Sequence, residues 1–141
     1  MAIRQLSVFA ENKNGSLYSI TKALADAKVD IRAFSVADTE KFGVLRLIVK
    51  DPREAAKLLS EAGNVVDVND VIGVKIPDTA GGLSELLRII TENDISVEYL
   101  YAFVSRENDN AYVVLRVDDN AHVEEVLIKE CCTLLQEEEL H

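Results

Sequence analysis

Two stretches decide the fold: NKNGSLYSIT, Asn12–Thr21, and DTAGGLSELL, Asp78–Leu87. Each begins with a polar residue, passes two positions, and then reads Gly, a small residue and Leu. Gly81 follows Gly15 by 66 positions, and Leu83 follows Leu17 by the same 66. Both lead into apolar residues at helical spacing. In the first copy these are Leu17, Ile20, Ala23, Leu24 and Ala27, the i, i+3, i+4, i+7 stripe of an amphipathic helix over 15–27.

The offset extends well beyond the loop. Ile20 falls on Leu86, Leu24 on Ile90, Val29 on Ile95, Ile31 on Val97 and Phe34 on Leu100. Two additional residues in SRENDN shift the offset to 68. Leu45 then falls on Val113, Leu47 on Leu115, Val49 on Val117, Asp51 on Asp119 and Leu59 on Leu127. A period this long marks a duplicated domain rather than a solenoid repeat. The expected boundaries are 1–69 and 70–141.

Each copy has the same element order. IRQLSVFA places Leu6, Val8 and Ala10 on one face of a strand. After the first helix, DIRAFSVAD and FGVLRLIV read as a hairpin around the polar TEK. Asp51 then caps a second helix with Pro52 at its first position. Ala55, Leu58 and Leu59 face inward, and Gly63 ends the helix. VVDV is a fourth strand. The second copy predicts a strand over 71–76, a helix over 81–93, strands over 97–104 and 111–117, a helix over 120–130 and a strand over 132–135. The fold class is therefore α+β: two ferredoxin-like βαββαβ units, each an antiparallel sheet with helices on one face. VVDVNDVIGVKI joins the copies without a Gly/Ser/Pro-rich linker. The two units are expected to pack together, edge to edge or bare face to bare face, which hides strand edges.

Composition narrows the function. The chain has 141 residues, nearly half of them apolar, and units of about 70 residues are marginal alone and lean on one another. The formal net charge of −10 argues against a nucleic-acid surface and against electrostatic binding to anionic membranes. No run of about 20 apolar residues is present to span a membrane, and MAIRQLSVFAENK is not a signal peptide. Cys131 and Cys132 are adjacent and make no disulfide framework. A cytoplasmic protein is expected.

No catalytic constellation stands out, so the chain is read as not an enzyme. His122 and His141 lack metal-ligand spacing, and no metal or cofactor is expected. Asp118 and Asp119 before Asn120 read as a helix entry, and QEEEL as a solvated acidic tail. Tyr99, Tyr101 and Phe103 alternate along one strand as in base-stacking sheets, but the charge is wrong and packing is the better account.

The glycine loop has a physical use. Gly permits positive φ and close backbone approach. The first N–H groups of a helix lack internal partners, and the dipole makes that end electropositive, which suits a carboxylate. At this point the chain resembles the ACT domain, a small regulatory module with a D-x-P-G-x-L type loop between its first strand and first helix. NKNGSL and DTAGGL both match at Gly and Leu, and Asp78 matches the acidic position. GGLSELLRIITENDISVEYLYAF resembles the second copies of tandem ACT proteins. Asn14 and Ala80 stand where Pro is usual, and Asn12 where Asp is usual.

The resemblance covers essentially the whole chain. It implies an amino-acid-binding regulatory or sensor protein that modulates an enzyme or pathway of amino-acid metabolism, as a homo-oligomer. The alternative is a structural protein–protein adaptor of ACT-like units that bind no ligand. The expected ligand-binding residues are Asn12, Asn14, Gly15, Ser16 and Leu17 in copy one. In copy two they are Asp78, Thr79, Ala80, Gly81, Gly82 and Leu83. The resemblance adds a facing wall from 33–36 or from Leu100, Tyr101 and Ala102. Copy two is favoured because Gly81–Gly82 leaves the backbone barest and Asp78 can meet a ligand ammonium.

Overall fold

The computed structural model describes residues 3–11, 14–38, 42–104 and 109–140. The chain divides into two compact units. An N-terminal unit comprises Arg4–Asn69 joined by Leu140, and a C-terminal unit comprises Asp70–Glu139 joined by Ile3.

The N-terminal unit runs β1 (Ile3–Glu11), α1 (Ser16–Asp26), β2 (Ile31–Asp38), β3 (Phe42–Val49), α2 (Pro52–Glu61) and the first part of β4 (Val65–Pro77). Strand order is β2-β3-β1 with β4 beside β1. β3 pairs antiparallel with β1 through Leu6↔Leu47 and Val8↔Leu45, and with β2 through Phe34↔Leu47 and Val36↔Leu45. Leu6, Val8, Ala10, Leu45, Leu47 and Val49 form one sheet face. Ile20 and Leu24 of α1 and Ala55 and Leu59 of α2 cover that face in a single core. Fully burying a Leu or Ile of this kind stabilises the fold by about 1.5–3 kcal/mol.

Two local expectations change here. Leu17 and Ala27, in the first turn of α1 and just past its end, are exposed, so the buried stripe is Ile20 and Leu24, with Ala23 half-buried beside them. Asp51 occupies the N-cap of α2 but its side chain makes no cap bond. On the face of β1 opposite the helices Gln5 and Ser7 are buried while Phe9 and Glu11 are exposed: Gln5 Nε2 donates to Ser7 Oγ at 3.4 Å, and Ser7 Oγ donates to Asn69 Oδ1 at 2.6 Å. These bonds satisfy polar groups whose burial is otherwise costly. The TEK turn and most of SRENDN lie outside the described residues.

The C-terminal unit repeats the plan with the rest of β4, α3 (Gly82–Glu92), β5 (Val97–Val104), β6 (Asn110–Val117), α4 (Asn120–Lys129), a two-residue β7 (Thr133–Leu134) and a 3-10 turn, Glu137–Leu140. Strand order is β5-β6-β4, with β7 also paired to β4. Ile72, Val74 and Ile76 of β4 share one face with Val113, Leu115 and Val117 of β6. Leu86, Ile89 and Ile90 of α3 and Val123 and Leu127 of α4 cover them. Gly73 points the other way, and a side chain there would meet Ile3 and Leu135.

The fourth strand of copy one and the first of copy two are one 13-residue strand, β4, so the missing linker is literal. The final strand is shorter than the predicted 132–135. The acidic tail forms the 3-10 turn, and its Leu140 is buried. The Leu140 carbonyl accepts a hydrogen bond from Arg32 Nε.

Candidate functional site

The strand–helix loop is the same turn built twice. Gly15, the N-cap of α1, has φ 91° and ψ −9°; Gly81, the N-cap of α3, has φ 91° and ψ −10°. Both lie in the left-handed region, where an L side chain costs about 1–2 kcal/mol. Open space surrounds the position of a Cβ at each. Ser19 N–H donates to the Gly15 carbonyl at 2.9 Å, and Glu85 N–H donates to the Gly81 carbonyl at 3.0 Å. Neither helix has a side-chain cap. Each N-terminus therefore presents first-turn N–H groups toward its loop without a side chain competing for them. Leu17 and Leu83, at matched positions, are both exposed.

The loops differ in how they close. In the C-terminal unit Asp78 N–H donates to the Asp109 carbonyl at 2.8 Å, and Gly82 N–H donates to the Thr79 carbonyl at 3.1 Å. A Cβ on Gly82 would collide with the Pro77 carbonyl oxygen. Gly82 is bare because its own chain passes over it, so the second glycine of this loop has a structural reason. In the N-terminal loop the matched residue is Ser16, which carries a side chain.

Beside the N-terminal loop lies a cleft of about 540 Å³. Asn14, Gly15 and Ser16 form one side, and Ser19 and Ile20 of α1 continue it. The end of β1 supplies Phe9, Ala10 and Glu11. Phe42 comes from the start of β3, and Gly63, Asn64 and Val65 from the α2–β4 turn. Gly63 sits at φ 95°. Asn64 is fixed by an Nδ2 hydrogen bond to the Leu59 carbonyl at 3.1 Å.

Of the predicted residues, Asn14, Gly15 and Ser16 line this cleft, and Leu17 is not among its lining residues. Asn12 lies outside the described residues. Asp78, Thr79, Ala80, Gly81, Gly82 and Leu83 form the second loop, in the C-terminal unit. Leu100, Tyr101 and Ala102 lie on β5, opposite Leu115, Val114 and Val113 of β6. Residue pattern alone missed Phe9, Phe42, Asn64 and Val65.

Titratable groups near the second loop are tied to structure. Arg88 Nε donates to Glu85 at 3.1 Å, and Nη1 donates to Glu92 at 2.6 Å. The Arg88 hydrogen bond holds the Glu85 carboxyl below its ordinary range, and Arg88 is correspondingly raised. Burial, then the Glu130 charge, pushes the Cys132 thiol up. His122 sits in the first turn of α4, where its N–H donates to the capping Asp119 at 3.1 Å, as the helix-entry reading expects. Among the described residues no group of three His, Cys, Asp or Glu side chains is placed to hold a metal. No described helix is long and apolar enough to cross a membrane.

Comparison with known proteins agrees with this geometry. The family model described as an ACT domain pair matches residues 1–141. A protein of Bacteroides thetaiotaomicron with a solved structure is 35% identical, with 99% of this chain and 96% of that chain covered and a TM-score of 0.92. The ligand-free regulatory subunit of aspartate kinase from Thermus thermophilus shares the fold at 13% identity and a TM-score of 0.64, covering 88% of this chain and 87% of that one. The alpha and beta subunits of an aspartokinase do so at 19% and 0.62, covering 89% and 90%. No curated protein matches the chain.

Proposed function

The chain belongs to the ACT domain pair family, and from that premise we propose that it is an amino-acid-binding regulatory protein. The observation that carries this reading is the duplicated loop: two glycine N-caps with the same left-handed backbone, each opening an uncapped helix. A carboxylate at such an end gains N–H hydrogen bonds and the dipole's attraction. On this reading residues 1–69 and 70–141 are two ACT domains, and the site residues are those of the two loops with a facing strand at 33–36 or 100–102. Ligand occupancy regulates an enzyme or pathway of amino-acid metabolism. The chain acts as a cytoplasmic homo-oligomer without catalytic activity, nucleic acid or membrane.

The exposed apolar side chains Phe34 and Val36 on β2, the outermost strand of its sheet, support self-assembly, since an unguarded edge invites pairing. The test is a thermal-shift screen of the purified chain against the twenty amino acids. A ligand that binds only the native state raises the melting temperature. One or a few amino acids should do so. If none does, at concentrations well above metabolic levels, the sensor reading fails and the adaptor reading takes its place.

A further inference from the structure

The two loops match in backbone and not in surroundings. The sheet registers show which positions correspond. Glu11 pairs with Phe42 as Pro77 pairs with Asn110, and Phe9 pairs with Val44 as Lys75 pairs with Tyr112. In the N-terminal unit Phe9, Phe42 and Val65 come from three separate segments, line one cleft, and remain 41%, 55% and 65% exposed. The matched residues of the C-terminal unit are Lys75, Asn110 and Thr133. All three apolar walls are polar there, and the Lys75 ammonium lies 5.9 Å from the Tyr112 ring.

We infer that the N-terminal cleft takes an α-amino acid with a large apolar side chain, aromatic above all, and that the C-terminal loop does not share this preference. The inference rests on the amino-acid-binding reading and names the ligand class for one of its two loops. Exposed apolar surface gains free energy when another apolar surface covers it, and aromatic rings gain further from edge or offset contact. A ligand side chain reaching Phe9, Phe42 and Val65 removes water from all three. A methyl side chain leaves them wet. Among the described lining residues Glu11 is the one ionisable group, and none of them is a basic side chain to meet an acidic ligand. The cleft volume of about 540 Å³ falls within the range of small-molecule sites, roughly 300–1,000 Å³.

The experiment is calorimetric titration of the full chain with L-phenylalanine, L-leucine, L-alanine, L-aspartate and L-lysine, on wild type and on Phe42→Asn, Val65→Thr and Asn110→Ala. Phenylalanine should bind at least about tenfold more tightly than alanine, the discrimination an apolar pocket supplies. Phe42→Asn should lose about tenfold in phenylalanine affinity, with an unchanged circular dichroism spectrum. Val65→Thr gives the same reading where Phe42→Asn melts early. Asn110→Ala should bind as the wild type does. Tightest binding of aspartate, lysine or alanine overturns the inference and leaves the amino-acid reading standing. So does phenylalanine binding that Asn110→Ala weakens and the two N-terminal variants do not. If none of the twenty amino acids binds the wild type, the underlying reading fails and this inference falls with it.

Discussion

Gly15 and Gly81 differ by one degree in ψ and not at all in φ. Their neighbours differ in almost everything else. Gly15 is followed by Ser16 and opens on a cleft with phenylalanine walls. Gly81 is followed by Gly82, whose missing side chain makes room for the Pro77 carbonyl. After a duplication, the backbone of a turn is held by what the turn needs: a positive φ and a helix to enter. The residues that face outward from it are free to diverge. An identical loop backbone is therefore evidence of a shared fold, and the walls are where a difference in function is to be sought.

The widest gap between the loops is steric. Gly82→Ala should destabilise the C-terminal unit by roughly 1–3 kcal/mol, because the new Cβ meets backbone rather than a movable side-chain tip. Ser16→Ala in the matched position should stay within about 0.5 kcal/mol. Urea denaturation of both variants measures the difference. Equal effects would mean that Pro77 shifts freely and that the two loops close alike.

At the glycines themselves the comparison predicts equality. Gly15→Ala and Gly81→Ala both place a Cβ at φ 91° in open space, so each should cost about 1–2 kcal/mol from backbone strain alone. A cost at one position well above the other in denaturant would show that the surroundings, and not the dihedral, set it.

How much of this was legible in the residues follows from what each feature needs. Apolar spacing, which is local information, marks the four α-helices and β1, β2, β3, β5 and β6, while β4 reads as two strands, VVDV and 71–76, because nothing local shows that they run on as one. β5 falls on 97–104 as read. The cleft was not legible, because it is assembled from the end of β1, the start of β3 and the α2–β4 turn, distant in sequence. Phe9 in particular sits between Val8 and Ala10, both buried against helices, and reads simply as the off-face residue of an alternating strand. Comparing the copies offers the available signal: Phe9 against Lys75, Phe42 against Asn110 and Val65 against Thr133. In the sequence Gly82 reads as bare for a ligand, because no residue pattern shows the Pro77 carbonyl above it. The run of glutamates at 137–139 hid the burial of Leu140.

A smaller contrast lies at the turn after the second helix of each unit. Gly63 and Cys131 correspond under the offset of 68, and both have positive φ, 95° and 63°. Glycine tolerates this region without a Cβ penalty. Cys131→Gly should therefore raise stability by up to about 1 kcal/mol, and Gly63→Ala should lower it by about 1–2 kcal/mol. Melting temperatures of the two variants should move in opposite directions. A loss on Cys131→Gly would mean that the cysteine side chain contributes contacts that outweigh its strained backbone.

The smallest expected effect concerns the helix faces beyond the loops. Helix α3 sets Arg88 between Glu85 and Glu92, while α1 has Ser19, Lys22 and Asp26 at the matched positions, with a single pair, Lys22 to Asp26, at 3.0 Å. The Arg88 hydrogen bond lowers the Glu85 pKa in the folded chain. A lowered carboxyl pKa means that the unfolded chain takes up the proton first on acidification. The contribution of Glu85 is fully present above its unfolded value, about 4.3, and is lost as pH falls through the folded value. Glu85→Gln should therefore lower the melting temperature slightly at neutral pH and not at all below the carboxylate range. Because the pair is exposed, high salt should also remove the difference at neutral pH. Ser19→Ala on α1 should show neither the pH dependence nor the salt dependence. If Glu85→Gln lowers the melting temperature equally in acid and at neutral pH, the ion pair is not what distinguishes the two helices.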